Sequence, residues 1–416
     1  MMVRKIWQMV LPWGLFAVAL SCGVADAQAE MERPPLRHIA AAACGECHQE
    51  IFREWQASMH AQSSALHDPL HGAMYRVMIG DPTQEGVQTP KTGGYPECLR
   101  CHAPNAAQDG KTRLDAMAAY TEGVNCVSCH TMEAFHGVKG SDGQLRLGNA
   151  AYTFSLKELQ GPYGAHHGQA PAMSPGNGAG APPTVNPFPH VQNGTLFQSS
   201  DLCLGCHEQQ NNPQGVPVCA TGPELAAAGQ TVTCQSCHMP TVNGHASHAM
   251  AGGHDASMLK RGVTLDLVAT AQGEQVLVNV TLRNNLVHNF PTGAPFRWVA
   301  LQLTARDASG QTIWKNDPAT LGKEDEQAML MMKLVDAEGR PVPPAMATKL
   351  AGDSRLKPQE TRTLAYHIPA KGVQSVQAEL RYGLLLPPMM HKMADKVPAE
   401  AMQPVVFTKV IRTISR

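Results

Sequence analysis

The sequence has few aromatic residues, and beyond its N-terminus it has no apolar run long enough to cross a membrane. Phe, Trp and Tyr make up 5% of its 416 residues, which is little for a chain of two or three domains that must bury a large core. The formal net charge is −1, so a nucleic-acid partner is not expected. No cysteine follows Cys237, so cysteine chemistry belongs to the first part of the chain.

The N-terminus has the pattern of an export signal. Arg4 and Lys5 precede an apolar stretch at 6–20, and a small-x-small cleavage pattern ends at Ala27. The stretch is interrupted by proline and is shorter than the roughly 20 residues of a membrane span. We therefore predict a signal peptide at 1–27 and a location in the periplasm or at the cell surface. Cys22 follows Ala-Leu-Ser, a weak lipoprotein-like context, so lipid anchoring at Cys22 stays an alternative.

Ten of the twelve cysteines lie in five Cys-x-x-Cys-His pentapeptides. In this motif both thiols form thioethers to one haem, and the histidine becomes an iron ligand. Paired Cys-x-x-Cys also occurs in zinc sites, but a histidine after every pair, behind an export signal, favours five covalent haems c. The cysteines are Cys44, Cys47, Cys98, Cys101, Cys126, Cys129, Cys203, Cys206, Cys234 and Cys237, and the histidines are His48, His102, His130, His207 and His238.

Four of the motifs form an internal repeat. Cys98 and Cys126 are 28 residues apart, and Cys203 and Cys234 are 31 apart. The first member of each pair reads Cys-Leu-x-Cys-His and the second Val-x-Cys-x-Ser-Cys-His. This pattern predicts a repeated unit that holds two haems close together. Two cysteines lie outside the motifs, Cys22 and Cys219. Cys219 has no histidine partner in sequence, and we interpret it as a buried free thiol or a residue beside a haem.

Iron ligands on the second face of each haem are harder to assign, because fourteen histidines lie outside the motifs. We predict His60, at the end of an amphipathic helix over 49–60, and His136, six residues after His130. His167, His254 and His288 are the next candidates, with His71, His190, His245 and His248 in reserve. His167 borders a Pro/Gly/Ala-rich stretch at 170–189, which is either an ordered strap over the haems or a loop.

From Gly262 the composition changes to alternating apolar and polar residues with Gly, Pro and Asn between the runs. This period-two pattern predicts half-buried strands, most simply a β-sandwich of roughly 150 residues. The predicted fold class is therefore a mainly α and irregular multihaem cytochrome c domain at 28–261, followed by an all-β, sandwich-like C-terminal domain at 262–416. We expect His254 and His288 to place ligands near the joint between them.

The chain resembles the exported multihaem c-type cytochromes that group with the tetrahaem electron carrier of ammonia oxidisers. The resemblance is carried by Trp55-x-x-Ser-x-His60, by Cys126-Val-Ser-Cys-His with His136 beyond it, by Cys203-x-x-Cys-His-Glu, by Cys234-Gln-Ser-Cys-His-Met-Pro, by the Gly-Gly-His254 segment and by His288-Asn-Phe-Pro-Thr-Gly. It implies that His60 and His136 are distal haem ligands. The fifth motif and the β-domain depart from the tetrahaem carrier. The lysine-for-histidine motif of pentahaem nitrite reductases is absent from the sequence.

The expected function is electron transfer between redox partners, which would be donor and acceptor cytochromes or quinol-linked membrane complexes. An alternative is an oxidoreductase in which one haem keeps an open iron position and acts on a small nitrogen or sulfur species. A third hypothesis gives the β-domain a docking role. The sequence leaves these hypotheses open, because the pairing of ligands is spatial.

Overall fold

In the computed structural model of the chain, short helices joined by loops form most of the described residues up to Gly262. The structure describes residues 34–90, 92–163, 188–229, 232–316, 325–386, 389–390, 393 and 395–414. The helices are α1 Ala41–Gly45, α2 Gln49–Gln56, α3 Pro69–Met78, α4 Leu99–His102, α5 Pro104–Gln108, α6 Ala118–Thr121, α7 Cys126–His130, α8 Gly194–Phe197, α9 Asp201–His207, α10 Thr221–Ala227, α11 Cys234–His238 and α12 Ala256–Gly262. Within the described ranges, none of the helices is long and apolar enough to cross a bilayer.

Side-chain caps fix where several of these helices begin. Asp68 accepts hydrogen bonds from the N–H groups of Leu70 and His71 at the start of α3, where Pro69 also favours a helix start. Asn125 and Ser128 form a reciprocal capping box at the start of α7. The cap orients a motif helix, because α7 runs from Cys126 to His130.

The helix predicted over 49–60 is shorter than expected. α2 ends at Gln56, with Trp55 buried and the neighbouring apolar side chains half-buried. The carbonyl of His60 accepts hydrogen bonds from Ser63 and from the N–H of Val124. These contacts with the following turn and with the segment before α7 replace helical hydrogen bonding, so His60 follows the helix in a turn.

The strands fall into small pairs in the helical part and two larger sheets after α12. The strands are β1 Met132–Phe135, β2 Tyr152–Phe154, β3 Leu159–Gly161, β4 His190–Gln192, β5 Gln210–Asn211, β6 Pro217–Cys219, β7 Thr241–Val242, β8 His245–Ala246, β9 Val263–Gln272, β10 Gln275–Asn284, β11 Trp298–Arg306, β12 Thr312–Lys315, β13 Met329–Val335, β14 Lys349–Asp353, β15 Thr361–Pro369, β16 Ser375–Gly383 and β17 Val405–Thr413. One sheet has the order β15-β10-β9, and the other has β14-β13-β11-β16-β17, with β12 on β11.

The two larger sheets share one apolar core. Its buried residues come from β9, β10 and β15 on one side and from β11, β16 and β17 on the other. The alternation in the sequence is confirmed by burial, since every second residue of β9 from Val263 to Ala269 is buried. Gly273, with φ of 60°, lies in the two-residue turn that joins β9 to β10.

Replacing Leu282 by alanine should destabilise the β region strongly, because this β10 side chain is 1% exposed. Loss of a buried leucine costs about 2–5 kcal/mol. Val268→Ala on the neighbouring strand β9 is the matched control, since Val268 is 53% exposed; its cost should be roughly 1 kcal/mol or less. Denaturant unfolding of both variants measures the difference, and equal losses of stability would contradict the shared core.

The helical and β parts are in direct contact. Leu70 and Ala73 of α3 pack in one buried cluster with Leu385, Val397 and Met402, which follow β16. Residues Pro35–Arg416 form one compact unit. Helix α12 ends at Gly262, where the sequence predicts the start of the C-terminal domain, and the division into two domains stays a prediction.

Candidate haem-binding sites

A single large cavity runs through the helical part of the molecule and reaches the β region. Its volume is about 3290 Å³, several times the roughly 300–1000 Å³ of a pocket for one small ligand. Cysteines and histidines of the first four motifs line it, whereas the fifth motif contributes Gln235 and Ser236. Space of this size among motif residues suits several large apolar groups, and it accounts for the low aromatic content of the chain.

Each motif places its two thiols and its imidazole on one helical turn. The N–H of His102 donates to the carbonyl of Cys98 at 3.0 Å, and the N–H of His48 donates to Cys44 at 2.9 Å. The other three motifs lie within α7, α9 and α11. Because residues i, i+3 and i+4 share one face of a helix, both sulfurs and the imidazole can reach one porphyrin.

Thiols of different motifs meet, and they do so out of sequence order. Contact with the Cys44 thiol, and then burial, raise the pKa of Cys126. The thiol of Cys101 likewise raises the pKa of Cys206, and Cys234 raises that of Cys203. The first motif therefore lies beside the third, the second beside the fourth, and the fourth beside the fifth. The two units of the sequence repeat therefore differ in their contacts. Cys203 and Cys234 meet within one unit, whereas Cys126 of the other unit meets Cys44 of the first motif.

Three motif histidines have the hydrogen bonding of metal ligands. The Nδ1 atoms of His102, His130 and His238 lie 3.1, 2.7 and 2.7 Å from the carbonyl oxygens of Ser63, Gln160 and Ala251. A carbonyl only accepts hydrogen bonds, so Nδ1 carries the proton and Nε2 keeps its lone pair for a metal.

Burial keeps two of these imidazoles, those of His102 and His130, in the form that binds metals. It lowers the pKa of His102 to about 3 and that of His130 to about 4. Both rings are therefore neutral at pH 7, as a ligand must be.

Two motif histidines face a second histidine at the spacing that one metal ion requires. The ring centroids of His60 and His207 are 6.2 Å apart, and those of His130 and His248 are 6.4 Å apart. A metal roughly 2 Å from both Nε2 atoms would hold two opposed imidazole centroids about 6 Å apart. Burial lowers the pKa of His60 to about 4, so this ring too is neutral at pH 7.

His48 and His238 also have histidine neighbours. Burial and then the nearby His190 lower the pKa of His48. Burial lowers the pKa of His288, with a further contribution from His238. The Nδ1 atoms of His190 and His288 lie 3.0 and 2.9 Å from backbone carbonyl oxygens, so Nδ1 carries the proton in both rings.

The surroundings of His102 differ from those of the other four. The ring centroid of His71 is 4.0 Å away, too close for a metal between the rings, and both Nδ1 atoms lie near the Ser63 carbonyl. The Nε2 of His71 and the hydroxyl of Tyr75 are buried without a hydrogen-bond partner among the described residues. Both residues line the cavity beside this motif.

His254 lies in the same cavity but beside charged groups. Burial and then Arg297 lower the pKa of His254 to about 4, while Asp68 acts in the opposite direction. Asp68 also acts on the pKa of His102, and both histidines line the cavity. Arg297 donates to the carbonyl of Leu384 at 3.3 Å and lies over the ring of Phe296.

The predicted distal ligands lie in different surroundings. His60 and His288 lie beside motif histidines, and His254 shares the cavity with them. His136 is exposed, with its Nε2 2.6 Å from the hydroxyl oxygen of Thr153, and its role as a ligand stays a prediction. His167 lies outside the described residues, as does most of the stretch 170–189.

Sequence reasoning had placed His190 and His248 only in reserve, and the structure brings both beside motif histidines. The histidine burst after the fifth motif pointed to His248, but spacing alone could not separate it from His245. Cys219 lies in β6 and lines the cavity, and burial raises its pKa. The cavity, the thiols on single helical turns and the histidine pairs together fit haem c.

The chain belongs to the multihaem c-type cytochromes, and haem c is their cofactor. The family described as Cytochrome c554 and c-prime matches residues 43–131, which contain the first three motifs. The crystal structure of a penta-heme cytochrome c552 from Thermochromatium tepidum is 44% identical in sequence and covers 92% of this chain and 100% of its own. The two structures agree with a TM-score of 0.85. No curated protein matches the chain.

Proposed function

We propose that the chain is an extracytoplasmic electron carrier with five covalently attached haems between redox partners. The observation that carries the proposal is the set of contacts between thiols of different motifs. These contacts would keep the attached groups close enough for electrons to pass from one to the next. Bound haem c supplies one-electron iron chemistry. The five motifs, and the penta-heme name of the related structure, support the count of five.

The side chains would have distinct tasks in such a carrier. The ten motif cysteines attach the haems, and the five motif histidines bind iron through Nε2. His190, His60, His248 and His288 would complete the coordination opposite His48, His207, His130 and His238. The backbone carbonyls on Nδ1 would fix the orientation of several of these rings, and burial keeps water away from them.

The proposed location and partners are those that the sequence predicts. The export signal at 1–27 supports a location in the periplasm or at the cell surface, with Cys22 as a site for a lipid anchor. The expected partners are donor and acceptor cytochromes or quinol-linked membrane complexes. The β region is a candidate docking surface for one of them.

Assignment of the axial ligands of all haems in the isolated protein tests the carrier function. We expect five haems per chain, at least four of them low-spin with two histidines, and full reduction and reoxidation by a small redox protein. Fewer than five haems, or several high-spin irons, would contradict the proposal. Electron exchange that leaves most of the haems unreduced would contradict it as well.

A second candidate function is an oxidoreductase acting on a small nitrogen or sulfur species beside His102. The observation that favours it is the 4.0 Å separation of His71 and His102, together with Arg297 and His254 in the same cavity. Arg297 could hold an anionic substrate, and the neutral His254 ring could donate a hydrogen bond to it. Binding of nitrite, hydroxylamine, cyanide or carbon monoxide to one iron, weakened by Arg297→Leu, supports this function. Five low-spin irons that bind none of them exclude it.

A further inference from the structure

A buried ion pair joins the helical part of the chain to the β region close to the fifth motif. The Nη1 of Arg355 donates to Oε1 of Glu224 at 2.7 Å, and the two side chains are 6% and 8% exposed. Glu224 lies in α10, between the fourth and fifth motifs, whereas Arg355 follows β14. A pair this well buried loses much hydration, so its geometry and its remaining hydrogen bonds decide whether it is favourable.

The second oxygen of Glu224 binds the loop that carries His288. Oε2 accepts a hydrogen bond from the hydroxyl of Thr292 at 2.5 Å and one from the N–H of Asn289 at 3.2 Å. Arg355 donates to the carbonyl of Pro291 at 3.3 Å. The Glu224 carboxylate and the Arg355 guanidinium therefore both bind the loop that follows His288, at Asn289, Pro291 and Thr292.

His288 is fixed within this loop as well. Its carbonyl accepts from the side chain of Asn284 at 2.8 Å, and its Nδ1 lies 2.9 Å from the Asn289 carbonyl oxygen. Besides His238, two charged groups influence the pKa of the His288 ring, namely Glu224 and Arg355. Arg355 also makes two hydrogen bonds to Asp353, at 2.9 and 2.8 Å. The formal charge of the three groups is −1, from two carboxylates and one guanidinium.

We propose that Glu224 is a positioning residue that holds the His288 loop against the His238 site, with Arg355 as its counterion. The inference rests on the proposed function, in which His288 is an axial ligand opposite His238. Glu224 would act in two ways. It would fix the direction of the His288 ring through Asn289 and Thr292. It would also set the charge near the iron, because a change of charge in the protein interior is poorly screened and therefore shifts the reduction potential.

The test uses the full haem-loaded protein and measures the reduction potential and the low-temperature EPR signal of each haem. Glu224→Gln removes a negative charge near the His238 site, so the potential of that haem should rise. Arg355→Met removes a positive charge, so the same potential should fall. The double variant removes both charges and should return towards the native value. These opposite shifts distinguish positioning by charge from a purely structural role.

Two further variants keep the test decisive. Glu379 is another buried carboxylate paired with an arginine, Arg381 in β16, but it does not line the cavity, so Glu379→Gln should leave all potentials unchanged. Thr292→Val removes the hydrogen bond to Glu224 and one with the Thr221 hydroxyl, but it changes neither charge nor side-chain shape, so it should fold. It should change the EPR signal of the His238 haem alone.

His288→Ala separates failure of this inference from failure of the proposed function. If His288→Ala leaves every haem spectrum unchanged, His288 is not a ligand and that assignment in the proposed function is wrong. If His288→Ala changes one haem, but Glu224→Gln, Arg355→Met and Thr292→Val leave its potential and EPR signal unchanged, the positioning role of Glu224 is overturned.

Discussion

Replacing Cys234 and Cys237 together by alanine should lower the covalently bound haem from five per chain to four, one for each remaining motif. The reason is chemical, since a haem c without its two thiols has no covalent link to the chain. The mass of the purified protein should fall by one haem beyond the change in side chains. The haem absorbance per chain after denaturation should fall by one fifth.

Cys219→Ala is the matched control for this loss. Cys219 also lines the cavity, but it lies in β6 with no following histidine, so the variant should keep all five haems. Loss of a haem in the control, or an unchanged haem content in the double variant, would contradict the attachment scheme. The thiols of Cys203 and Cys234 are in contact, so we also expect the spectrum of the fourth-motif haem to shift in the double variant.

His248→Ala should convert one low-spin haem into a high-spin haem that binds carbon monoxide when reduced. The ring of His248 is nearly parallel to that of His130, at an interplanar angle of 17° and a centroid distance of 6.4 Å, as two ligands of one iron would be. Removing the imidazole leaves that iron with His130 alone. EPR of the oxidised protein and carbon monoxide titration of the reduced protein measure the change.

His245→Ala is the control for the axial assignment, three residues away on the same segment. The Nε2 of His245 lies 3.2 Å from a carboxylate oxygen of Glu54, which gives this ring a partner other than iron. Its removal should leave all haem spectra unchanged. His136→Ala tests the competing prediction from the sequence. A high-spin haem in His136→Ala, with none in His248→Ala, would reverse the assignment.

The β region was readable from the sequence because its signal is local. Val276, Val278 and Val280 alternate in the sequence, and all three are buried in β10. The turn signal Asp307-Ala-Ser-Gly310 is equally local. The N–H of Asp307 donates to the carbonyl of Gln311, and Gly310 has a φ of 82°. Such patterns depend on neighbours in sequence, so no knowledge of the tertiary fold was needed to find them.

The haem-binding sites could be predicted only in part from the sequence, because the residues that face each motif come from distant segments. The motif sequence alone marks Cys126 and His130, but nothing near them indicates that Cys44 lies against Cys126. His248 is separated from His130 by more than a hundred residues, and spacing could not connect them. His60 was found because it closely follows α2 and because of the family resemblance, although the helix itself is shorter than predicted.

The enclosure of the motif thiols bears on whether haem attachment or folding comes first. Burial raises the pKa of Cys129 to about 11 and that of Cys98 to about 12, so these thiols would stay protonated, and less reactive than thiolates, if the chain folded before haem attachment. The space they face is an interior that side chains do not fill. We therefore expect haem attachment to take place on the still open polypeptide, before folding encloses these sulfurs. The β sheets, with a core of their own, can form without waiting for it.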